Sequence, residues 1–275
     1  MSLIAKNNKI NTYKDFITMV IKGNALSIIC KSKTGLGKTF TTLDVLKELN
    51  TKYNYQSGYT TPLRLYQTLY DNRDNIVVLD DMEKLFTNDI AIDLLRSALW
   101  EADGKRKISY KTTSDRLGNY PDEFIYNGKI IWLINTIKGK LNESLKALIS
   151  RTISYDFVYS FDELMEMTDK ILDIKQVSKR TKKDVKKIIK NNITRATPYN
   201  FRILDRIIAF VNYDREKAEH LFLASSKKNE DIEIVLSLIN TKHLGAEQQA
   251  KEFSKQTGKS RITYFRLKKE IREGM

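Results

Sequence analysis

The chain is poor in thiol and imidazole. Of its 275 residues one is cysteine, Cys30, and two are histidine, His220 and His243. A single cysteine excludes a disulfide within the chain and points to a reducing compartment: the cytoplasm, or a host cell's cytoplasm for a viral protein. The same scarcity argues against a structural zinc site, and both histidines read as ordinary surface or helix residues. Long apolar runs are missing too. The stretch "FITMVIKGNALSII" (16–29) is broken by Lys22, Gly23 and Asn24, so it does not read as a signal peptide. No run approaches the ~20 apolar residues that cross a bilayer, and neither internal repeats nor low-complexity tracts are present. Acidic residues fall short of basic ones, 34 Asp and Glu against 48 Lys and Arg, a net charge of +14. That surplus suits an anionic partner, nucleic acid or a membrane surface, with lysine-rich solubility as the plainer alternative.

A hydrophobic content of 41% over this length supports one large or two modest domains. Residues 1–24 read as a helix and linker, with Phe16, Met19 and Val20 on one face. "ALSIIC" (25–30), "NIVVLDD" (75–81) and "KIIWLINT" (129–136) read as buried strands. Helical stretches lie between them at 39–50, 58–74 and 89–103. "KRKISYKTT" and "DEFIYNG" pair as a hairpin across a polar loop around Gly118. "NESLKALISRTISYDF" then gives a helix, an arginine and a final strand. The alternation over 1–159 predicts an α/β fold with a parallel sheet. From about 160 the pattern is helical only, which marks a domain boundary.

"SKTGLGKTF" (32–40) follows the first strand and opens a helix in which Phe40, Leu43, Leu46 and Leu49 fall at helical spacing. It approaches the G-x-x-x-x-G-K-[ST] phosphate-binding loop, with Ser32 at the first glycine position. In such a loop the backbone N–H groups of Ser32, Lys33, Thr34, Gly35, Leu36, Gly37, Lys38, Thr39 and Phe40 surround phosphate oxygens at a helix N-terminus. Gly35 and Gly37 let the backbone approach. Lys38 reaches the β and γ phosphates of ATP, and the Thr39 hydroxyl ligates Mg²⁺. Serine at position 32 is small but poorer at positive φ.

"IVVLDD" places two carboxylates at the C-terminal end of an apolar strand, where α/β sheets bind ligands. Asp80 suits Mg²⁺ held through water. Asp81 sits where a general base activates the attacking water, with Glu83 as an alternative contributor. Read as structure alone, the pair is a helix N-cap. Asn135 ends "IIWLIN" and can orient water, or is simply a turn residue. Arg151 in "LISR" precedes a strand, a place from which it can face a neighbouring subunit's γ-phosphate. Arg202, in the first turns of a helix beginning near Pro198, can close over nucleotide.

The order SKTGLGKT, IVVLDD, IIWLIN, LISR, YNFR resembles the AAA+ ATPases: Walker A, Walker B, sensor 1, arginine finger and sensor 2. The match spans about residues 20–225, and the block from "SGYTTPLRLYQ" to "IVVLDD" looks similar to AAA+ proteins of phages and other mobile elements. The resemblance implies an α/β core (1–159), a helical lid (160–225), and ATP-driven assembly into a ring or filament. Ser32 and Asp81 depart from the usual glycine and glutamate.

Two further segments carry charge. "KQVSKRTKKDVKKIIKNNITR" (175–195) holds nine Lys and Arg against one Asp. It reads as a solvated basic helix or as one that contacts phosphates. "GAEQQAKEFSKQTGKSRITYFRLKKEI" (245–271) reads as helix, tight turn, helix. Ala246, Ala250 and Phe253 form one apolar face, Ser260 caps the second helix, and Ile262, Phe265 and Ile271 are available for packing. "DIEIVLSLIN" supplies a third helix, so that 226–275 forms a small helix-turn-helix-like domain. Its second helix would expose Arg261, Thr263, Tyr264, Arg266, Lys268 and Lys269, beside Lys259 in the turn, toward DNA. The alternative is a basic helix that only packs on the lid. The leading expectation is an ATPase acting on DNA in replication or recombination of a virus or mobile element, assembled with copies of itself and with a replication protein as a further partner. The alternatives are an ATP-gated DNA-binding switch or helicase loader with little turnover, and a ring that remodels protein.

Overall fold

The structure is a computed structural model that describes residues 8–101, 103–112, 115–135, 143–156, 158–194, 199–226, 230–241 and 244–272. It divides into two compact units, 1–158 and 159–275.

The first unit is built on five parallel strands: β1 (Ser27–Ser32), β2 (Tyr53–Ser57), β3 (Ile76–Asp80), β6 (Lys129–Asn135) and β7 (Ile153–Asp156). Their order across the sheet is β2-β3-β6-β1-β7. The three central strands are apolar almost throughout and buried, as strands covered on both faces must be. The two edge strands instead alternate polar and apolar residues. This explains why β2, "YNYQS", escapes a search for apolar runs. The antiparallel pair β4 (Lys107–Ser109) and β5 (Glu123–Ile125) forms the expected hairpin, with Ile108 opposite Phe124.

The helices of this unit are α1 (Asn8–Ile21), α2 (Lys38–Glu48), α3 (Pro62–Asp71), α4 (Asp89–Ala98) and α5 (Glu143–Ile149). Local chemistry sets several starts. Thr61 accepts from the Arg64 amide at 3.2 Å ahead of Pro62, and Asn88 accepts from the Ala91 amide at 3.0 Å. The core gathers Leu65, Leu69, Val77, Leu79, Leu95, Ile130 and Trp132, with Phe86 stacked on Trp132 at 4.5 Å. Two helix faces differ from expectation. In α1 the buried line is Tyr13, Ile17 and Val20, while Met19 is exposed. In α2 it is Lys38, Thr41, Thr42, Val45 and Leu46, and Phe40 is 63% exposed. Thr42 can face inward because its hydroxyl has partners: it donates to the Lys38 carbonyl at 2.9 Å and bonds the Tyr13 hydroxyl at 2.6 Å.

The second unit is helical throughout its described residues: α6 (Phe161–Ile174), α7 (Lys179–Asn192), α8 (Phe201–Tyr213), α9 (Ala218–Ser225), α10 (Glu230–Asn240), α11 (Ala246–Thr257) and α12 (Arg261–Arg272). A Ser160–Glu163 capping box starts α6. Asn200 caps α8 through the Ile203 amide at 3.0 Å; Pro198, expected at that helix start, lies outside the described residues. The last three helices share their own core of Ile232, Val235, Leu238, Ala250, Phe253, Tyr264 and Leu267. Gly258 ends α11 at φ +70°, the left-handed turn that suits glycine, and Ser260 accepts from the Thr263 amide at 3.3 Å. None of the described helices is long and apolar enough to cross a membrane.

Candidate functional site

The register of the sheet collects the site at the C-terminal ends of β1, β3 and β6. Ser32 lies opposite Asn135, and Asp80 opposite Leu133. Between β1 and α2 the chain turns through Gly35 at φ +78° and Gly37 at φ +88°. A side chain at either position would meet the left-handed penalty. Ser32 does not face that penalty. It ends β1 as extended backbone, is buried, and donates its hydroxyl to the Lys33 carbonyl at 2.8 Å. The expected handicap of serine at the first glycine position is therefore absent.

Lys38 is buried, its ammonium donating to the Ser32 carbonyl at 3.2 Å and to Asn135 Oδ1 at 3.3 Å. Burial lowers its pKa, a shift opposed by the nearby Asp81, Asp80 and Glu83 carboxylates. The Thr34 hydroxyl donates to the same Asn135 oxygen at 3.0 Å, and the Asn135 amide nitrogen donates to Asp81 Oδ1 at 3.0 Å. Asn135 thus ties the loop to the second carboxylate. Asp81 holds φ +52°, a conformation that aspartate tolerates better than most residues. Glu83 accepts the Asn135 backbone N–H at 2.8 Å, so one of its oxygens is engaged in shaping the end of β6.

Asp80 is buried and accepts from the Thr39 hydroxyl at 2.6 Å and the Tyr55 hydroxyl at 2.8 Å. Tyr55 does not stand out in the sequence. The alternation Tyr53, Tyr55, Ser57 was the available signal, but it is too short and polar to stand out. Loss of solvation and the bond to Asp80 push the Tyr55 phenol up to about 12.

Arg151 follows α5. Its guanidinium donates to the Ala147 carbonyl at 3.2 Å and lies 5.2 Å from the ring centroid of Trp100, which is 58% exposed. The two side chains line a hollow of about 290 Å³ with Asp93, Arg96 and Ser97. Arg202 is exposed in the first turn of α8, in the second unit. Among the described residues, no cluster of three or more His, Cys, Asp or Glu side chains is placed to hold a metal ion.

The architecture has known counterparts. The RuvB Holliday junction branch migration motor of Thermotoga maritima superposes with a TM-score of 0.51 at 16% identity, covering 94% of this chain and 85% of that one. A mutant form of Thermotoga maritima RuvB gives 0.52 at 14% identity, covering 94% and 84%. The chain shares the fold of these RuvB structures. No family model matches the chain. In sequence it is 26% identical over 237 residues to an uncharacterized 36.7 kDa protein from the nrdC-mobD intergenic region of Enterobacteria phage T4, covering 78% of this chain and 72% of that protein.

In the helix-turn-helix-like segment the side chains are rotated from expectation. Tyr264 is fully buried, with its hydroxyl on Gln249 Oε1 at 2.6 Å, so it is part of the core rather than a DNA-facing residue. Lys268 donates to the same oxygen at 2.9 Å. Lys259 pairs with Asp231 and Arg261 with Glu247. Arg266 and Lys269 are exposed. Leu267 packs inward, whereas Ile262 and Phe265, expected in the core, face out. In α11, Ala250 and Phe253 are buried as expected, while Ala246 is exposed and Gln249 joins the buried side.

Proposed function

We propose that this chain is an ATPase that binds ATP and Mg²⁺ at subunit boundaries and acts on DNA in the replication or recombination of a virus or mobile element. The observation that carries the reading is the single network joining Thr34, Lys38, Asn135 and Asp81 beside the Thr39–Asp80 pair. Its donors and acceptors suit nucleotide. The loop turns through two left-handed glycines into a helix N-terminus, and one buried cation lies beneath it. Thr39 and Asp80 supply the hydroxyl and carboxylate that hold Mg²⁺ when nucleotide phosphates complete its shell.

In this reading Lys38 turns from the Ser32 carbonyl and Asn135 to the β and γ phosphates. Its partial desolvation strengthens that attraction. Asn135, already bonded to Asp81, orients a water against that carboxylate, and Asp81 takes the proton. Glu83 keeps the end of β6 in place. Arg151 leaves its Trp100 platform to stabilise charge at a neighbouring subunit's site. Arg202 closes over nucleotide from a helical lid, 160–225.

DNA contact falls to two basic surfaces. On α7, Lys182 and Lys186 are paired with Asp173 and Asp169 of α6. Lys179, Arg180, Lys183, Lys187 and Lys190 are exposed at helical spacing and suit a phosphate backbone. On the C-terminal domain, 226–275, α12 presents Arg261, Arg266 and Lys269, flanked by Lys259 and Lys268. RuvB is described as a branch migration motor for Holliday junctions, and the T4 relative is a phage protein; both support the setting. The test is ATP hydrolysis with and without single- and double-stranded DNA, read beside oligomer mass. Turnover stimulated by DNA in an assembled state is expected. ATP and DNA binding with negligible turnover would favour an ATP-gated switch or helicase loader, and partner remodelling without DNA a protein-directed ring.

A further inference from the structure

Helix α12 carries an apolar pair on its outer side. Ile262 is 80% exposed and Phe265 38% exposed, three residues apart and so on one face. The three-helix core takes Tyr264 and Leu267 from α12, which leaves Ile262 and Phe265 outside it. Scattered exposed apolar residues are ordinary, but this pair is framed on the same exposed face by Arg261, Arg266 and Lys269. The pair also sits in the first two turns of the helix, directly after the Gly258 turn. A rim of cations disfavours a neutral or basic protein surface. It fits a polyanion with apolar features inside its groove.

Duplex DNA has that pattern. The 5-methyl group of thymine is the apolar feature of the major groove, and phosphates line the rims. We propose that Ile262 and Phe265 read thymine methyl groups in the major groove, with Arg266 and Lys269 on the flanking phosphates. The inference rests on the DNA-binding reading above and adds a sequence preference to it. Burial of one methyl group against an aliphatic or aromatic side chain corresponds to about a fourfold change in affinity.

The test uses the full chain and a pool of random-sequence duplexes. Duplexes retained by the protein are sequenced, and the enriched duplex is prepared with thymine and with uracil, which pairs identically but lacks the methyl. Enriched sequences should share thymines, and the uracil form should bind about fourfold more weakly per methyl contacted. Ile262→Ser and Phe265→Ser should each reduce that discrimination while keeping the parent's circular dichroism. Arg266→Ala should weaken both forms alike. If the parent binds both forms equally while Arg266→Ala still weakens binding, the methyl reading is overturned and DNA contact through α12 stands. A pool bound without enrichment overturns it as well. No DNA binding under any condition overturns the DNA reading beneath it and reassigns the apolar pair to a protein contact.

Discussion

Lys38 is held by two oxygens that nucleotide phosphates would replace, the Ser32 carbonyl and Asn135 Oδ1. Lys38→Ala should abolish tight ATP binding, a loss of about 100-fold for one charge-assisted contact with phosphate. Equilibrium binding of a fluorescent ATP analogue checks this, and parental affinity would remove the phosphate-loop assignment. Asp81→Asn keeps the shape and the left-handed backbone at 81 but removes the proton acceptor. Binding should persist while turnover falls by about 10²–10⁴; unchanged turnover would move the base to Glu83. Gly128 shows a purely structural constraint. A Cβ there would lie 2.5 Å from the Asn75 carbonyl oxygen and 2.7 Å from the Tyr126 ring. Gly128→Ala should cost about 1–3 kcal/mol through overpacking. Thermal unfolding should show a midpoint lower by several degrees.

At the scale of elements, the last three helices share one core, so removal of 245–275 would strip Ile232, Val235 and Leu238 of α10 of their cover. The cleaner truncation removes 226–275. The remaining unit should still bind ATP but bind DNA more weakly and without sequence preference, through α7. The loss should be largest at low salt and narrow as salt rises, because the full chain makes more phosphate contacts and so has the steeper salt dependence. A salt titration of duplex binding reads this directly, and identical curves for truncated and full chains would make the C-terminal domain a packing or docking element. Part of α7's formal charge is neutralised by Asp169 and Asp173. Its contribution to that residual binding should therefore be smaller than its lysine count suggests.

For the whole molecule, the decisive question is whether a site is completed by a second copy. Arg151→Ala should spare ATP binding and cut hydrolysis, since an arginine acting in trans is worth about 10³–10⁵ in rate. Arg151→Ala and Lys38→Ala subunits lack different halves of a shared site. Mixed in equal amounts, some boundaries regain both halves and activity should return. Assembly without recovery would place Arg151 within its own subunit, where its stack on Trp100 would then be a structural contact.

Much of the first unit was legible in the chain. Central strands of a parallel sheet are apolar throughout, and "SIIC", "IVVL" and "IIWLI" are unmistakable because burial on both faces leaves no room for alternation. The glycine loop, Lys38, Thr39, Asp80, Asp81 and Asn135 were readable because each follows such a strand directly. Edge strands and helix faces were less so. Tyr55 lies on a polar edge strand, and its bond to Asp80 exists only because β2 pairs with β3 across 25 residues of chain. Single-residue rotations decided α1, α2 and α12. Apolar residues four apart and three apart define overlapping faces, and only the neighbouring helix selects one. In α12 that choice sent Tyr264 inward, where Gln249 satisfies its hydroxyl, and left Ile262 in solvent. Composition and order along the chain thus determined the sheet, the glycine loop and the excess of positive charge, because these depend on local pattern. Which oxygen holds Lys38, which carboxylate meets Asn135 and which side of α12 faces outward were decided by tertiary structure. Each depends on a partner distant in sequence, brought within a few ångströms by strand register or helix packing.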